Sequence, residues 1–314
     1  MKTLILKSLI ICSIALSILC VIWKCPGVYT YELSAIINKM DILNTKQSPR
    51  IILIGGSNLL SLDSRLIEKE LPYSVVNLAL WFGINYRILI EEIMPHLKPH
   101  DIILFIIEYT AFFDNSSQEK LNADSQKAFF MISPENQIKR YLRECEIIDG
   151  FTVFTELVQL KSKAFVQNLK AGYWYRLREN GLQDFSKFYN ENGDLRIPWP
   201  RKRPLDSALY SSLNLEQFGF LHAFVIHAEE KKVNVFLSFP PYPKEEYEKN
   251  KKQIKGLYRG IVSSLKIPLL NRPDECTLPS QFFTDNVFHI DPAGEAIRTR
   301  NIIQGLKMKT FSSK

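Results

Sequence analysis

The chain has 314 residues, of which 46% are hydrophobic, and its formal net charge is +7. This apolar content is enough for one large hydrophobic core or two modest ones. Basic residues cluster only at 201–203 and 249–255 and are not interleaved with aromatic residues, which argues against a nucleic-acid-binding protein.

The N-terminal segment predicts a membrane anchor over residues 1–24. Residues 4–23 form an apolar stretch that contains one charge, Lys7, whose amine can reach the headgroups. Cys20 follows Leu19 instead of the small residue of a lipoprotein signal, and no small-x-small cleavage motif is present. An uncleaved anchor is therefore favoured over a cleaved signal peptide. Lys2 and Lys7 precede the uncharged residues 8–23 and Lys24 directly follows them, so we expect the bulk of the chain outside the cytoplasm.

The next elements alternate between strands and helices. Residues 25–48 are predicted to be a juxtamembrane linker with a short helix, and the main domain is predicted over 49–314. A strand, "RIILIG", ends at Gly55, and Asp63 is placed to cap a helix that runs through Glu70. "YSVVNLAL" predicts a strand, "NYRILIEEIMPHL" a helix and "HDIILFIIEY" a buried strand. Strand–helix repeats with continuous apolar strands predict an α/β fold with a parallel sheet covered on both faces.

The alternation stops between about residues 110 and 212, where long helical patterns predict an insertion or cap. The Asn-Gly dipeptide in "FYNENGDLRI" predicts a tight hairpin. The α/β pattern then resumes with a helix in "EQFGFLHAFVIHAEEKK", a strand in "VNVFLSF", a loop at "PPYP", a helix over 245–265 and a short strand in "KIPLL". A final helix is predicted to start with Asp291 as N-cap and Pro292 in the first position.

Gly55-Gly56-Ser57-Asn58 lies where parallel α/β folds place their sites, after a strand. The glycines leave the serine accessible, and the following N–H groups can face an oxyanion. A phosphate loop would need a lysine, a dinucleotide fingerprint a third glycine, and an α/β-hydrolase elbow a glycine at Leu59. A nucleophile and an ordinary turn both stay open on this motif alone.

Asp285 and His289 lie four residues apart, just before the last helix. A serine nucleophile needs a base, and the base needs an orienting carboxylate, so this pair favours a catalytic Ser57. The remaining histidines lack such neighbours and are expected to be structural: His96, His100, His222 and His227. No histidine or cysteine spacing is typical of a metal site, and the cysteine count does not reveal whether disulfides form, so we expect neither a metal nor another cofactor.

Together these motifs resemble the SGNH (GDSL-like) hydrolase superfamily, and most closely its membrane-anchored bacterial branch. The resemblance covers about residues 50–110 and 230–305 and rests on five blocks: "GGSN" at 55–58, Asp63-Ser64, "VVNLALWFG", Glu108-Tyr109, and "FFTDNVFHIDPAGEAIRT" at 282–299. It implies a three-layer α/β/α fold with a parallel, flavodoxin-like sheet. That branch includes envelope polysaccharide O-acetyl esterases and transferases, and proteins that handle D-alanine in teichoic acid synthesis.

The resemblance also implies roles for three residues: Ser57 as the nucleophile, His289 as the general base and Asp285 as its orienting group. Gly83 would donate a backbone N–H to the oxyanion, beside the N–H of Ser57.

The asparagine that the family uses as a further oxyanion donor is replaced here by Glu108 and Tyr109. An ionised carboxylate cannot donate a hydrogen bond, so Asn58, Asn77 or Asn85 is a possible substitute.

The function implied is a membrane-anchored, extracytoplasmic esterase or O-acyltransferase that acts on acyl esters, above all O-acetyl esters, of an envelope or exported polysaccharide. Its partners would be an acylated glycan or small ester and proteins of envelope biosynthesis. The alternative is a catalytically impaired member that serves as a binding or assembly subunit.

Overall fold

The computed structural model describes residues 2–24, 31–80, 86–113, 123–170, 185–196, 213 and 215–311. The chain divides into two compact units, residues 1–34 with 123–185 and residues 35–122 with 186–314. The helices are α1 (Lys2–Lys24), α2 (Tyr31–Thr45), α3 (Ser64–Glu70), α4 (Tyr86–Ile93), α5 (Ala123–Ile132), α6 (Pro134–Arg143), α7 (Ile147–Lys170), α8 (Leu215–Glu230), α9 (Lys244–Lys249), α10 (Lys251–Ser264) and α11 (Pro292–Phe311). The strands are β1 (Arg50–Gly55), β2 (Ser74–Asn77), β3 (Ile102–Ile106), β4 (Asn234–Leu237), β5 (Tyr242–Pro243) and β6 (Thr277–Leu278).

The second unit contains a parallel four-stranded sheet with strand order β2-β1-β3-β4. β1 pairs with β2 from Arg50↔Ser74 onwards, and with β3 up to Gly55↔Ile106. Every residue of β1 and β3 is buried, which is typical of strands shielded on both faces. The predicted α/β class with a parallel sheet is thus confirmed.

Helix caps follow the sequence signals, whereas several other elements differ. The carboxylate of Asp63 accepts the N–H of Leu66 at the start of α3, and that of Asp291 accepts the N–H of Gly294 at the start of α11. The helix predicted over 245–265 is interrupted at Asn250 and forms α9 and α10.

The predicted strand in "KIPLL" and the predicted hairpin each form only a single β-bridge, and a short strand forms in the predicted "PPYP" loop. "KIPLL" contributes one parallel bridge, Leu237↔Leu269, because Pro268 has no N–H to extend the ladder. The Asn-Gly hairpin contributes one antiparallel bridge, with Gly193 at a φ of 93°. The "PPYP" loop contains β5, which pairs with β6 in a second, two-stranded sheet.

A buried ion pair fixes the amino end of β1. The Arg50 side chain is 1% exposed, and its Nε lies 3.2 Å from Oδ2 of Asp101, a carboxylate that is itself inaccessible. Arg50 also donates to the carbonyl oxygen of His96 at 2.6 Å. The Asp101 carboxylate accepts from Ser48 Oγ at 2.7 Å and from the N–H of Lys98 at 3.0 Å. Both charges are therefore paired and hydrogen-bonded, as buried charges must be.

The last helix joins two loops at the carboxyl end of the sheet. The N–H of Asp63, in the turn that follows β1, donates to Thr299 Oγ1 on α11 at 3.3 Å. Arg298, the preceding residue of α11, donates to Ser238 Oγ at 2.9 Å and to the carbonyl oxygen of Phe239, just after β4. The loop that leads into α11 is thereby held at the same end of the sheet as the turn after β1.

Glu295, on the first turns of α11, has a pKa raised to about 8 by burial and by the charges of Asp63 and Asp194. A pKa above the unfolded value contributes stability that is complete below about pH 4.5 and is lost as the pH rises through about 8. We expect Glu295→Gln to raise the free energy of unfolding above about pH 8 by roughly 1–3 kcal/mol, discounted for the partial exposure of the side chain.

The measurement is the rate at which the buried thiol of Cys276 reacts in the full chain in detergent, as a probe of opening of the second unit. The gain should disappear near pH 4. Glu229→Gln, at an exposed position on α8, is the control and should change little. A gain that does not depend on pH would contradict the prediction.

The first unit contains α1, α5, α6 and α7. α1 includes Ile5–Trp23, a 19-residue stretch that is long and apolar enough to cross a membrane and is not buried at any point. At its end, the Trp23 ring stacks on Phe154 of α7 with centroids 6.1 Å apart. A small core holds the three remaining helices together, formed by Phe130, Tyr141, Val153 and Leu157.

Candidate active site

Ser57 starts a short 3₁₀ turn, Ser57–Leu59, immediately after β1, and its side chain is buried. Its hydroxyl donates to Oε1 of Glu108 at 2.9 Å. The backbone N–H of Asn58 donates to the same oxygen at 3.3 Å. One carboxylate oxygen of Glu108, two residues after β3, therefore accepts both the Ser57 hydroxyl and the N–H that follows it.

Two glycines make this approach possible. A Cβ on Gly55 would collide with the carbonyl oxygen of Ile106 on the neighbouring strand. A Cβ on Gly56 would lie 2.5 Å from Oε1 of Glu108 and 2.9 Å from the hydroxyl of Tyr86. The double glycine is thus explained by the close approach of Ile106 to Gly55 and of Glu108 and Tyr86 to Gly56, and not by accessibility of Ser57, which is buried, contrary to the expectation from the sequence.

Glu108 is buried, and burial raises the pKa of its carboxyl group, although hydrogen bonds from Ser57 and from the N–H of Asn58 oppose that shift. Burial and the charge of Glu108 also raise the pKa of Tyr86 well above its usual value. The surroundings of Ser57 thus consist of a phenol that stays neutral and a carboxyl group that ionises less readily than usual.

Asp285 and His289 form the second part of the site. Nδ1 of His289 lies 2.7 Å from Oδ1 of Asp285. Burial lowers the pKa of His289 despite the opposing effect of Asp285, so the imidazole is neutral at pH 7. Burial is the largest single influence on Asp285 and opposes its ionisation, but the hydrogen bond to His289, the charge of His289 and further hydrogen bonds together lower the pKa of this carboxyl group. We assign the ring proton to Nδ1, donated to Asp285, which leaves Nε2 as the basic nitrogen.

Asn286 shapes this loop and contacts the ring. Its Oδ1 accepts the N–H groups of Phe288 and His289 at 2.8 and 2.9 Å. Its Nδ2 lies 3.0 Å from Nδ1 and 3.1 Å from Nε2 of His289; with the ring proton on Nδ1, only Nε2 can accept from it. In this conformation the basic nitrogen accepts a hydrogen bond from Asn286, and the Ser57 hydroxyl donates to Glu108.

Aromatic contacts connect the two parts of the site. Tyr109, next to Glu108, packs edge to face on Tyr242 with centroids 5.2 Å apart. Tyr242 in turn contacts Phe288, next to His289, at 5.7 Å. With the contacts of α11 described above, these rings hold the Asp285–His289 loop at the carboxyl end of the sheet, which is also where Ser57 and Glu108 lie.

Two of the asparagines predicted as oxyanion donors hydrogen-bond to other groups of the protein. Both N–H groups of the Asn77 amide are used, since Nδ2 donates to the carbonyl oxygen of Leu59 and to Asp194, each at 2.9 Å. Asn77 therefore belongs to a buried structural network, and its amide is not available to a substrate. The amide of Asn58 lies beside Ser57 but donates to the carbonyl oxygen of Ile106 at 3.0 Å.

Tyr109 is fully buried, and within the described residues its hydroxyl has no hydrogen-bond partner. Tyr109, one of the two residues that replace the family's asparagine and a candidate for the oxyanion or substrate site, has the position of a core residue. Gly83 and Asn85 lie outside the described residues.

Two residues of the site were not identified from the sequence. Tyr86 opens α4, and nothing in its local pattern separates it from other amphipathic helix residues. Asn286 lies inside the motif "TDNVFH", and an asparagine between the two candidate catalytic residues is a signal that could have indicated a role in shaping the loop.

A metal site needs several ligating side chains close together. In the described parts of the chain, no group of three or more His, Cys, Asp or Glu side chains could hold a metal ion. The structure supplies an imidazole paired with a carboxylate, Asp285, while the Ser57 hydroxyl donates to Glu108.

Comparison with known proteins adds no assignment, because no family model and no curated protein matches the chain.

Proposed function

We propose that this protein is a membrane-anchored, extracytoplasmic serine esterase or O-acyltransferase with the three-layer SGNH arrangement, acting on acyl esters of an envelope polysaccharide. One observation carries the proposal: a neutral imidazole, hydrogen-bonded at 2.7 Å to the carboxylate of Asp285, on a loop held at the end of the sheet where Ser57 follows β1. The apolar length of α1 supports the anchor. The polysaccharide and the acetyl group come from the motif resemblance alone.

In the proposed reaction, Nε2 of His289 takes the proton of the Ser57 hydroxyl as the oxygen attacks the ester carbonyl carbon. Asp285 keeps the proton of His289 on Nδ1 and stabilises the imidazolium that forms. The tetrahedral intermediate collapses to acyl-Ser57, and His289 returns the proton to the leaving alcohol. Attack by water then completes hydrolysis, and attack by a sugar hydroxyl completes acyl transfer.

Two hydrogen bonds must be exchanged before this reaction can start. The Ser57 hydroxyl has to leave Glu108, and Nε2 of His289 has to release Asn286. Substrate binding is the event proposed to cause both changes, because an ester oxygen beside Ser57 would compete with the Glu108 carboxylate for the backbone N–H groups there, such as that of Asn58.

A second candidate function follows from the same contacts. If Glu108 keeps the Ser57 hydroxyl and the N–H of Asn58 permanently, the site binds an acylated glycan without turning it over. The protein would then be a binding or assembly subunit of envelope polysaccharide synthesis.

Labelling of the full chain with a fluorophosphonate probe tests the proposal, because such probes modify only activated serines. We expect labelling of the wild type and of Ser61→Ala, and none of Ser57→Ala. Loss of acyl modification, or its accumulation, on the envelope glycan of a Ser57→Ala strain would then distinguish a transferase from an esterase. An unlabelled wild type that hydrolyses no ester at any pH would favour the binding function.

Glu108→Gln should raise kcat/KM for a small acetyl ester at pH 8. The substitution removes a negative charge beside the developing oxyanion and supplies an amide that can donate to it. A single oxyanion donor is worth roughly 10²–10³ in rate, so we expect a gain of about tenfold after loss of some positioning. Steady-state kinetics of the full chain measure it, with Glu92→Gln, another buried carboxylate, as the control. A fall to the level of Ser57→Ala would instead identify Glu108 as the base for Ser57.

A further inference from the structure

The outer faces of α6 and α7, in the first unit, carry an unusual concentration of exposed apolar side chains. The residues are Ile138 and Leu142 on α6, and Ile147, Ile148 and Phe151 on α7, with Ile148 81% and Phe151 67% exposed. We call them the α6–α7 apolar face. Burying such a side chain stabilises a protein by about 1.5–3 kcal/mol, so leaving five in water is a large cost that calls for a covering phase.

The apolar face is separate from the face that packs inside the unit. At 3.6 residues per turn, Ile147 and Phe151 lie on one side of α7, with Ile148 next to them. Val153 and Leu157 point into the small core. Asp149 is exposed and lies on the side roughly opposite Phe151. The helix therefore has three faces, of which one is packed, one is polar and one is apolar but uncovered.

The contacts of Trp23 orient α7 relative to the apolar stretch of α1. Side chains in a helix lean toward its N-terminus, whereas carbonyl groups point toward its C-terminus. The Trp23 ring, on the side of the apolar stretch, stacks on Phe154, and its carbonyl oxygen accepts from Nζ of Lys161 at 2.8 Å. Nζ of Lys161 also lies 5.8 Å from the centroid of the Trp23 ring, so the segment of α7 from Phe154 to Lys161 lies beside the last turn of α1. Ile148 is six residues, about 9 Å of helix, from Phe154, so the apolar face is close to the end of the apolar stretch.

The charges around the apolar face suit a lipid headgroup region. Lys139 is exposed on α6 beside Ile138 and Leu142, where its long side chain can reach anionic headgroups. Arg140 pairs with Glu144 at 3.2 Å and with Glu146 at 3.5 Å, and Arg143 pairs with Glu144 at 3.3 Å, so two arginines match these two acidic residues between the helices. A Trp at the end of an apolar span is typical of the interface between membrane and water.

We propose that the α6–α7 apolar face lies in the surface layer of the bilayer and forms a second membrane contact beside α1. This inference rests on α1 as the membrane span of the proposed function, and is independent of the chemistry at Ser57. An interfacial contact of this type needs a helix with an apolar face, a polar face and flanking cations, and all three are present.

Spin labels in the full chain, reconstituted in vesicles that contain anionic lipid, test the proposal. Labels are attached at Ile148→Cys and Phe151→Cys, with Asp149→Cys as the matched control on the same turns and Ile14→Cys as the reference in α1. The background has serine at the other reactive positions, Cys12, Cys20, Cys25 and Cys145. Accessibility to oxygen, which concentrates in lipid, is compared with accessibility to a water-soluble nickel complex.

We expect labels at 148 and 151 to be oxygen-accessible and shielded from nickel, and the label at 149 to show the reverse. Nickel access at 148 and 151 with a lipid-embedded label at 14 would overturn the second contact and leave the anchor intact. Shielding of 148 and 151 from both reagents would also overturn it, because a protein partner or second copy would then cover the face. A label at 14 outside lipid would remove α1 from the membrane and the second contact with it.

Discussion

Asp285→Asn is expected to lower kcat for a small acetyl ester by about 10²–10⁴ with little change in KM, as for the orienting aspartate of a serine–histidine pair. The amide can present its NH₂ group to Nδ1 of His289, which moves the ring proton to Nε2 and removes the base. The contact concerned is the 2.7 Å hydrogen bond between Asp285 and Nδ1. The carboxylate of Asp285 is partly exposed, so water weakens its interaction with His289, and we expect a loss in kcat below the upper end of this range.

The pH dependence separates this role from a purely structural one. Burial lowers the pKa of His289, and Asp285 partly opposes that shift. The acid limb of kcat/KM should therefore lie below pH 6.5 in the wild type and move to still lower pH in Asp285→Asn. Asp274→Asn, at an exposed residue paired with Arg272, is the control and should leave both values unchanged. An unaltered kcat in Asp285→Asn would remove the pair from the mechanism.

Asp101→Asn should destabilise the second unit by about 3–5 kcal/mol, because it leaves the guanidinium of Arg50 buried without a counter-charge. Arg50 is 1% exposed, and its other partners are neutral carbonyl oxygens such as that of His96. The loss corresponds to an increase of about 10²–10³-fold or more in the open population. The rate at which the Cys276 thiol reacts in the full chain measures that population.

The double variant Arg50→Met with Asp101→Asn is the informative control. It removes both charges, so it should be more stable than Asp101→Asn alone. Asp274→Asn serves again as a surface control, since an exposed pair contributes about 0–1 kcal/mol. Equal stability of the single and double variants would show that the buried charge is not the cause of the loss.

The parallel sheet and both helix caps could be predicted because their signals are local. Continuous apolar runs identify buried parallel strands, and Asp63 and Asp291 stand directly before helices whose first N–H groups they accept. The pairing of Asp285 with His289 is equally local, since the two residues share one short loop.

What the sequence did not predict depends on distant contacts. The partner of Ser57 is Glu108, 51 residues away, and no local pattern indicates that its carboxyl group bends back to β1. Asn77 looked like an available donor because its partner Asp194 lies 117 residues away. The interruption at Asn250 and the loss of a strand at Pro268 are effects of single residues inside otherwise regular patterns.

The close packing of Gly56 and Glu108 has a consequence for the variation that relatives of this chain can show. A Cβ at position 56 would meet the Glu108 carboxylate, so a side chain at 56 requires a shorter residue at 108. The two positions should therefore covary, with glycine accompanying glutamate and aspartate accompanying a shorter residue such as asparagine. Such covariation would keep one carboxylate beside the serine, contributed by the turn after β1 in some sequences and by the segment after β3 in others.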